Sequence, residues 1–384
     1  MLTATQRVRN ALQGSPVDRI PVLPKIWIAG ACQLTGRNPL DLCGDPLAIM
    51  QTIIAAARLV QADAARLFLF PSRRIARQAS AVVELDADGN RLGTVDLQGG
   101  WATQLDDPTR FNMRDAVWMA HNHSYPAHDH AYINSLEEAE QIAVPTADTW
   151  ESLGYGALVD QVIAQAPDLC LIGDCDTPTL AFAHTLRGME QVMFDLVTDP
   201  DMLDAIIRKG VAICVERARF WLRHGIKVLR LNDSMANMSV ISPNHWRRFI
   251  KPAFTDFCRQ VHALDPDALI YCHICGNVLP ILEDLKATGL DCIGPMDPLG
   301  GFTLRDVRAR IGQHPALMGG VNTMTLLNGT PAQITAEAQA CIEQNGSTSG
   351  FILGSGCVVP PAAAAENLLA LAHAAAGAVA PGVA

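Results

Sequence analysis

Runs of near-continuous hydrophobic residues recur along the chain, and each is followed by a stretch with helical periodicity. Eight such runs stand out: Ile20 to Trp27, Ala64 to Phe70, Leu169 to Cys175, Lys227 to Asn232, Leu269 to Cys275, Leu290 to Pro295, Ala316 to Asn322 and Gly350 to Cys357. Unbroken hydrophobicity, rather than strict alternation, suits parallel strands buried on both faces. The intervening helices include Pro46 to Val60, Pro200 to Arg223, Pro243 to His262 and Val278 to Thr288. Leu304 to Ile311, Pro331 to Asn345 and Ala362 to Ala376 continue the series. Several open with Asp-Pro, Ser-Pro or Thr-Pro, an N-cap followed by proline at the first helical position. Eight strand–helix units predict an α/β fold of the (β/α)8, TIM-type barrel class, with residues 1–384 as one barrel domain.

The stretch from Pro71 to Trp150 is too long for one connection. Within it, Ala81 to Arg91 has the turn chemistry of a β-hairpin with Asp88-Gly89 at its tip. Residues 71–150 are therefore expected to form an excursion over the barrel mouth after the second strand. Met1 to Leu12 reads as a short amphipathic helix capped by Thr3 or Thr5, with no apolar segment of the kind a signal peptide needs. The Ala-rich end is broken by His373, Gly377 and Pro381. It is expected to be a fraying last helix, 377–384 being its tail, rather than a membrane span.

Composition narrows the function classes. At 384 residues and 49% hydrophobic the chain is long enough and apolar enough for a large core. A formal charge of −10 and a pI near 5.5 exclude the basic footprint of a nucleic-acid binder and disfavour an anionic membrane surface. Eleven cysteines without regular spacing are not a disulfide framework and point to a reducing, cytoplasmic compartment.

Two of those cysteines carry chemistry. In Tyr271-Cys272-His273-Ile274-Cys275-Gly276-Asn277, the i and i+2 positions of His273 and Cys275 put imidazole and thiol on one side of a strand. The pattern of apolar strand, glycines and cysteine returns in Phe351-Ile352-Leu353-Gly354-Ser355-Gly356-Cys357. In a barrel, catalytic residues stand at the C-terminal ends of strands. His273 and Cys275 end the fifth predicted strand and Cys357 the eighth, so a three-ligand zinc site with one open position is expected. A packing cysteine belongs in mid-strand or on a helix face, where Cys214 and Cys341 are expected. Cys272 should face the helix layer, whereas Cys175 could reach the pocket.

With these motifs in view, the chain resembles the uroporphyrinogen decarboxylase superfamily almost from end to end. Within it, the chain is most similar to the zinc methyltransferases that work with corrinoid proteins. Gly14-Ser15-Pro16-Val17-Asp18-Arg19-Ile20-Pro21-Val22 resembles the family's opening, and Asp176-Thr177-Pro178-Thr179-Leu180-Ala181 stands where the family has Gly-Pro-Phe-Thr-Leu-Ala. Asp233 followed by Ile241-Ser242-Pro243, and Leu317-Met318-Gly319-Gly320-Val321-Asn322-Thr323, resemble later family segments. The methyltransferase branch binds zinc through a His-x-Cys pair and a later Cys, which map onto His273, Cys275 and Cys357, the last lying 82 positions beyond Cys275. The decarboxylase's Arg-Gln-Ala-Gly-Arg-Tyr motif is replaced by Lys25-Ile26-Trp27-Ile28-Ala29-Gly30, which lacks the cations that an eight-carboxylate tetrapyrrole needs.

The resemblance implies a zinc-dependent methyltransferase moving a methyl group between a corrinoid (cobalamin) held by a partner protein and a small thiol or methoxylated substrate. No Asp-x-His-x-x-Gly corrinoid motif occurs in these residues, so the corrinoid is expected on the partner. Zinc-thiolate chemistry with a non-corrinoid alkyl donor, and a structural zinc in a binding module, are the competing readings. Asp174, Asp176 and Asp233 end the third and fourth strands, where each would orient a ligand or cap the following helix. Asn322, ending the seventh, is expected to line a cofactor pocket. The cluster His121, His123, His128 and His130 is expected to be a solvated segment rather than a second metal site. His184, His224, His245 and His262 are expected to be structural.

Overall fold

The computed structural model describes residues 1–78, 81–97, 101–121 and 131–377. Its centre is a nearly closed barrel of eight parallel strands. These are β1 (Val22–Lys25), β2 (Ala64–Leu67), β7 (Cys170–Asp174), β8 (Val228–Asn232), β9 (Leu269–His273), β10 (Cys292–Met296), β11 (Ala316–Val321) and β12 (Phe351–Val358). The hydrogen-bonded order is β1-β12-β11-β10-β9-β8-β7-β2. Six fall within the predicted runs and two, β10 and β12, run one residue beyond theirs; the strand residues are buried almost throughout, as strands sandwiched between a lumen and a helix layer must be.

Alternation along each strand sorts side chains into two cores. Leu269 and Tyr271 point into the lumen and pack with Ile172, Val228 and Met318. Ile270 and Cys272 point outward into the larger core shared with the helices. Cys272 thus faces the helix layer, as expected. Cys175 is fully buried in that same outer core and does not reach the cavity described below, because it alternates with Asp174 and Asp176.

The lumen is closed from below by the helix Ala4–Leu12, whose Val8, Ala11 and Leu12 join the inner core. Thr3 caps it in a full capping box with Gln6. The seam between β1 and β2 is bridged by Asp63. Its carboxylate accepts from the Val22 amide (2.8 Å), and its own amide donates to the Val22 carbonyl (2.8 Å). Arg7 and Arg19 both donate to that carboxylate, and Arg7 also forks onto Asp18 at 2.7 and 2.8 Å.

Helices Pro200–Arg223, Leu304–Ile311 and Pro331–Asn345 have the predicted bounds. The predicted Pro243–His262 helix contains a π turn over Trp246–Ile250 before continuing as Lys251–Leu264. Between β2 and β7 lies a four-stranded antiparallel sheet of β3 (Ile75–Gln78), β4 (Ala81–Leu85), β5 (Arg91–Val95) and β6 (Thr103–Leu105). β4 and β5 are joined by a turn in which the Gly89 amide donates to the Asp86 carbonyl. His123, His128, His130 and residues 378–384 lie outside the described residues. Among the described residues, no helix is long and apolar enough to cross a membrane.

Arg7 holds the Asp18 carboxyl well below its usual range, chiefly through their hydrogen bonds. A carboxyl depressed on folding stabilises the fold above its unfolded value of 3.8 and loses that contribution as pH falls. Asp18→Asn is expected to lower the urea unfolding free energy at pH 7 by about 1–3 kcal/mol. The gap to the parent should narrow as pH is taken from about 4 toward 2. Equal gaps at both ends of the titration would refute the assignment.

Candidate metal centre and adjoining cavity

The C-terminal mouth of the barrel gathers the ligand atoms of His273, Cys275 and Cys357 within 4.8 Å of one another. Among the described residues they form the one such group of three. His273 is the last residue of β9. Cys275 lies two residues beyond the strand end, a small departure from the predicted strand, and Cys357 stands near the end of β12. β9 and β12 are separated by β10 and β11, and the strand ends pack closely at the mouth where their side chains converge. Gly319, at φ 117°, has the Met296 amide nitrogen 2.9 Å from where a Cβ would sit. At Gly356 a Cβ would lie 2.6 Å from the Pro298 ring.

Asp297, one residue past β10, holds the Cys275 loop. Its carboxylate accepts from the Gly276 amide (3.0 Å) and from the Leu299 amide (3.0 Å). Its charge also bears on both thiols, opposing their ionisation. Sequence reasoning missed Asp297, although Asp297-Pro298 directly after a predicted strand carries the same cap-and-proline signal read elsewhere.

Electrostatics prepare the three groups as donors. Burial, then Arg230, Lys25 and Arg66, drive the His273 pKa well below its ordinary value, so the imidazole is neutral. Its Nδ1 is buried without a hydrogen-bond partner. The Cys275 thiol hydrogen-bonds to Cys357, which lowers the pKa of Cys357 and raises that of Cys275. Lys25 also favours the Cys357 thiolate. This lysine is fully buried at the end of β1, donating from Nζ to the Ser355 carbonyl at 2.9 Å. A neutral imidazole with an orphaned nitrogen and a hydrogen-bonded thiol pair of which Cys357 is inclined to ionise match the donor set of a borderline-soft metal. In tetrahedral zinc, bond lengths of about 2.0–2.3 Å separate ligand atoms by roughly 3.6–3.8 Å. The cluster therefore needs only a small inward movement to fit.

Beside the cluster lies a cavity of about 470 Å³. Asp174 and Asp176 line it, as do Arg217 and Arg230. Asp174 pairs with Arg230, and Asp176, held at φ 69° in the left-handed region, stands 3.4 Å from Arg217. A non-glycine residue in that region is uncommon and concentrates at functional sites. Asp233 does not join them. Its fully buried carboxylate accepts from Thr179 Oγ1, from the Ala181 amide (3.3 Å) and from the Met235 amide (3.1 Å), so it is tied to the start of the Leu180–Arg187 helix after β7 rather than to the helix that follows its own strand. Asn322 caps Thr323–Asn328 through the Met324 amide (2.8 Å) and lies outside the cavity wall.

Histidine expectations also need correction. His184, expected to be structural, lies in the cavity wall. His121 lines it as well, with a pKa driven down to about 4 by burial, Arg73 and Arg217, and its Nε2 unpartnered. His224 is held between Asp160 (2.7 Å) and Glu151 (3.0 Å) away from the mouth. Cys32, Cys43, Cys170, Cys214 and Cys341 are all buried outside the cluster, and burial pushes each thiol up. A second cavity of about 300 Å³ opens at the opposite end, beside Thr5, Arg9 and Cys170, far from this chemistry.

Known proteins share this architecture. Methylated-thiol--coenzyme M methyltransferase of Methanosarcina mazei is 29% identical over 195 residues, covering 50% of each chain. Methylcobamide:CoM methyltransferase MtaA of Methanosarcina barkeri is 25% identical over 207 residues, 53% of this chain and 57% of that one. A uroporphyrinogen decarboxylase of Chlorobium phaeovibrioides is 26% identical over 254 residues, 62% of this chain and 68% of that one. The chain thus spans little more than half the length of the methyltransferases it matches. The solved structure of a methyltransferase from Methanosarcina mazei superposes with a TM-score of 0.73 at 22% identity, covering 98% of this chain and 99% of that one. That likeness establishes the barrel fold. The family model described as Uroporphyrinogen decarboxylase (URO-D) matches residues 115–377, well over half the chain, and the protein belongs to that family.

Proposed function

We propose that the protein is a zinc-dependent methyltransferase. It would move a methyl group between a corrinoid carried by a partner protein and the sulfur or oxygen of a small thiol or methoxylated substrate. The observation carrying this reading is the convergence of His273, Cys275 and Cys357 within 4.8 Å at the barrel mouth, with the His273 Nδ1 buried and unpartnered. Relatives named for methylated thiols and methylcobamide support the same class of reaction.

His273, Cys275 and Cys357 would hold the metal and leave one position open. Zinc bound there would supply a site in which a thiol is held as thiolate at neutral pH. The remaining work falls to the chain's own groups. Asp297 fixes the Cys275 loop through the Gly276 amide. The Asp174–Arg230 and Asp176–Arg217 pairs orient a substrate in the cavity, and the surrounding apolar wall excludes water. In this reading the chain acts as one barrel unit. The 71–150 segment, which contributes Arg73, Trp101 and His121 to the cavity, is the rim on which the corrinoid protein docks transiently.

Uroporphyrinogen decarboxylation fits less well. The mouth does hold cations that the first loop lacks: Arg66, Arg73, Arg217 and Arg230 come from other elements. Three of these are tied to the carboxylates of Glu84, Asp176 and Asp174. One surplus guanidinium does not balance a substrate with eight carboxylates.

Protein supplied with zinc should retain about one equivalent per chain by elemental analysis. Cys275→Ala, Cys357→Ala and His273→Ala should each lose most of it with little change in melting temperature, because the barrel core is large without metal. Asp297→Asn, which disturbs the support of one ligand, should weaken zinc binding by about 10–100-fold in a chelator competition. Retention of full metal by the cysteine variants would show that the wrong ligands were chosen.

Methylcobalamin or methylated corrinoid protein, offered with a panel of thiols and methyl ethers, should show a zinc-dependent change in corrinoid absorbance. That change should vanish in Cys357→Ala. Demethylation that proceeds equally without zinc would overturn the proposal. So would failure with every acceptor and donor when reduced corrinoid protein is present.

A further inference from the structure

The end of β12 is not held by an ordinary ladder. Leu23 of β1 lies opposite Gly354, and Lys25, two residues on, lies opposite Val358, four residues on. β12 therefore carries two extra residues here, in an arch from Ser355 to Cys357 opposite Pro24. The cause is visible in β1. Pro24 has no amide hydrogen to donate, and its carbonyl accepts from the Ile26 amide at 2.8 Å. On the other edge the β11 ladder ends at Val321 opposite Ser355. Gly356 and Cys357 thus lie outside the regular pairing on both sides, and a bulge of this kind re-aims a side chain.

One residue takes over what the ladder lacks. Lys25 is fully buried and bonds to both flanks of the arch. Its amide donates to Ser355 Oγ at 2.9 Å, and its Nζ donates to the Ser355 carbonyl at 2.9 Å. Its own carbonyl accepts from the Val359 amide at 3.0 Å. The arrangement is a costly one. No carboxylate among the described residues pairs with Lys25, and Arg66 and Arg230 oppose its charge. A methionine would fill a similar space without the desolvation of an ammonium. Of the groups around Lys25, Cys357 does most to favour its charge. The cost and the geometry therefore lead to the same cysteine.

We propose that Lys25 is a positioning residue for the metal: it fixes the arch that carries Cys357, and its charge offsets that of the metal-bound Cys357 sulfur. The proposal rests on reading His273, Cys275 and Cys357 as the ligand set, and it adds a residue that touches neither metal nor substrate. Metal ligands must be held to within about half an ångström. An arch flanked by Gly354 and Gly356 and outside the ladder on both sides does not supply that precision by itself. Three hydrogen bonds from one buried residue, placed two positions before Cys357 and two after it, do. The seam strand β1 thereby acts on a site whose other two ligands stand at the end of β9.

Metal binding, not turnover, tests this. Lys25→Met keeps most of the side-chain length and removes both the donor and the charge. It should weaken zinc binding by about 10–100-fold in a chelator competition, as loss of an outer support for a ligand does. With cobalt(II) in place of zinc, the thiolate-to-metal charge-transfer band should weaken relative to the parent, which a general loss of stability does not produce. The metal-free variant should melt at or above the parent temperature, because a buried unpaired cation is gone. Ser355→Ala removes only the acceptor of the Lys25 amide and should lose less affinity. Should Lys25→Met not fold, Lys25→Gln serves in its place, with a smaller loss of affinity and the same weakening of the band. Parent-like affinity and an unchanged cobalt spectrum in the variant that folds would overturn the proposal. So would an affinity loss that only follows a lower melting temperature of the metal-free protein, since Lys25 would then be structural. If these effects appear but no acceptor or donor supports methyl transfer, the proposed reaction fails and this inference stands. A parent that binds no zinc would overturn both.

Discussion

The site depends on backbone packed against backbone at the top of β10, β11 and β12. His273 and Cys357 belong to strands with two others between them, and their side chains converge across the mouth of the barrel. Here the intervening strands approach so closely that Gly319 lies against the Met296 amide and Gly356 against the Pro298 ring. A side chain at either position would force a displacement of tenths of an ångström or more, which a close-packed barrel does not absorb locally. Ligands in a metal site must be held to within about half an ångström. The glycines of Gly319-Gly320 and Gly354-Ser355-Gly356 therefore act on the chemistry without touching it.

A second constraint comes from charge inside the barrel. Lys25, Arg66 and Arg230 are buried around Tyr271 and His273, a costly arrangement that Asp174 offsets only in part. Desolvation is the larger influence on His273 and already favours the neutral ring. The cations push in the same direction, so the imidazole lone pair is available throughout the neutral range. On the thiols the balance differs. Burial opposes ionisation of both, yet the hydrogen bond between them and the charge of Lys25 favour a thiolate on Cys357, while Asp297 resists it. Burial, with Arg230, Lys25 and Arg66 adding to it, thus keeps an imidazole neutral, while Lys25 favours a thiolate beside it.

How much of this was readable from the sequence follows from what each signal measures. Unbroken apolar runs report burial on both faces, and all eight barrel strands were placed by them. The His273, Cys275 and Cys357 cluster is visible in the sequence because a His-x-Cys after a strand and a Gly-Ser-Gly-Cys after another are poorly explained by packing alone. Asp233 and Asn322 show the limit of that argument. A polar residue between a strand end and a helix start carries the same local pattern whether it faces the lumen, caps that helix or reaches another; Asn322 caps the helix that follows it, whereas Asp233 is taken up by the start of the helix after β7. Lys25, Arg66 and Arg230 are visible as lone charges inside apolar runs, but whether such a residue points into the lumen depends on strand parity. That parity is set by barrel closure, to which no short stretch of sequence answers. The short, polar β3 and β6 gave no strand signal, since their pairing is stabilised by β4 and β5 rather than by their own residues.

The division of labour between barrel and insertion follows from these contacts. Metal-ligand candidates come only from the ends of barrel strands, held by the glycine packing and by Asp297. Trp101, Arg73 and His121 reach the same mouth from the segment with its own antiparallel sheet, where Arg73 bonds to the Trp101 carbonyl and pairs with Glu84 at 3.0 Å. Glu84 in turn accepts from Thr103 on β6. Movement of that sheet would therefore carry Arg73 and Trp101 together, changing the aromatic and cationic walls of the cavity while leaving the ligand cluster in place. A scaffold built this way can change what enters the mouth without disturbing the His273, Cys275 and Cys357 cluster. Loops over a rigid barrel are where such variation concentrates, and in this protein they supply part of the cavity wall.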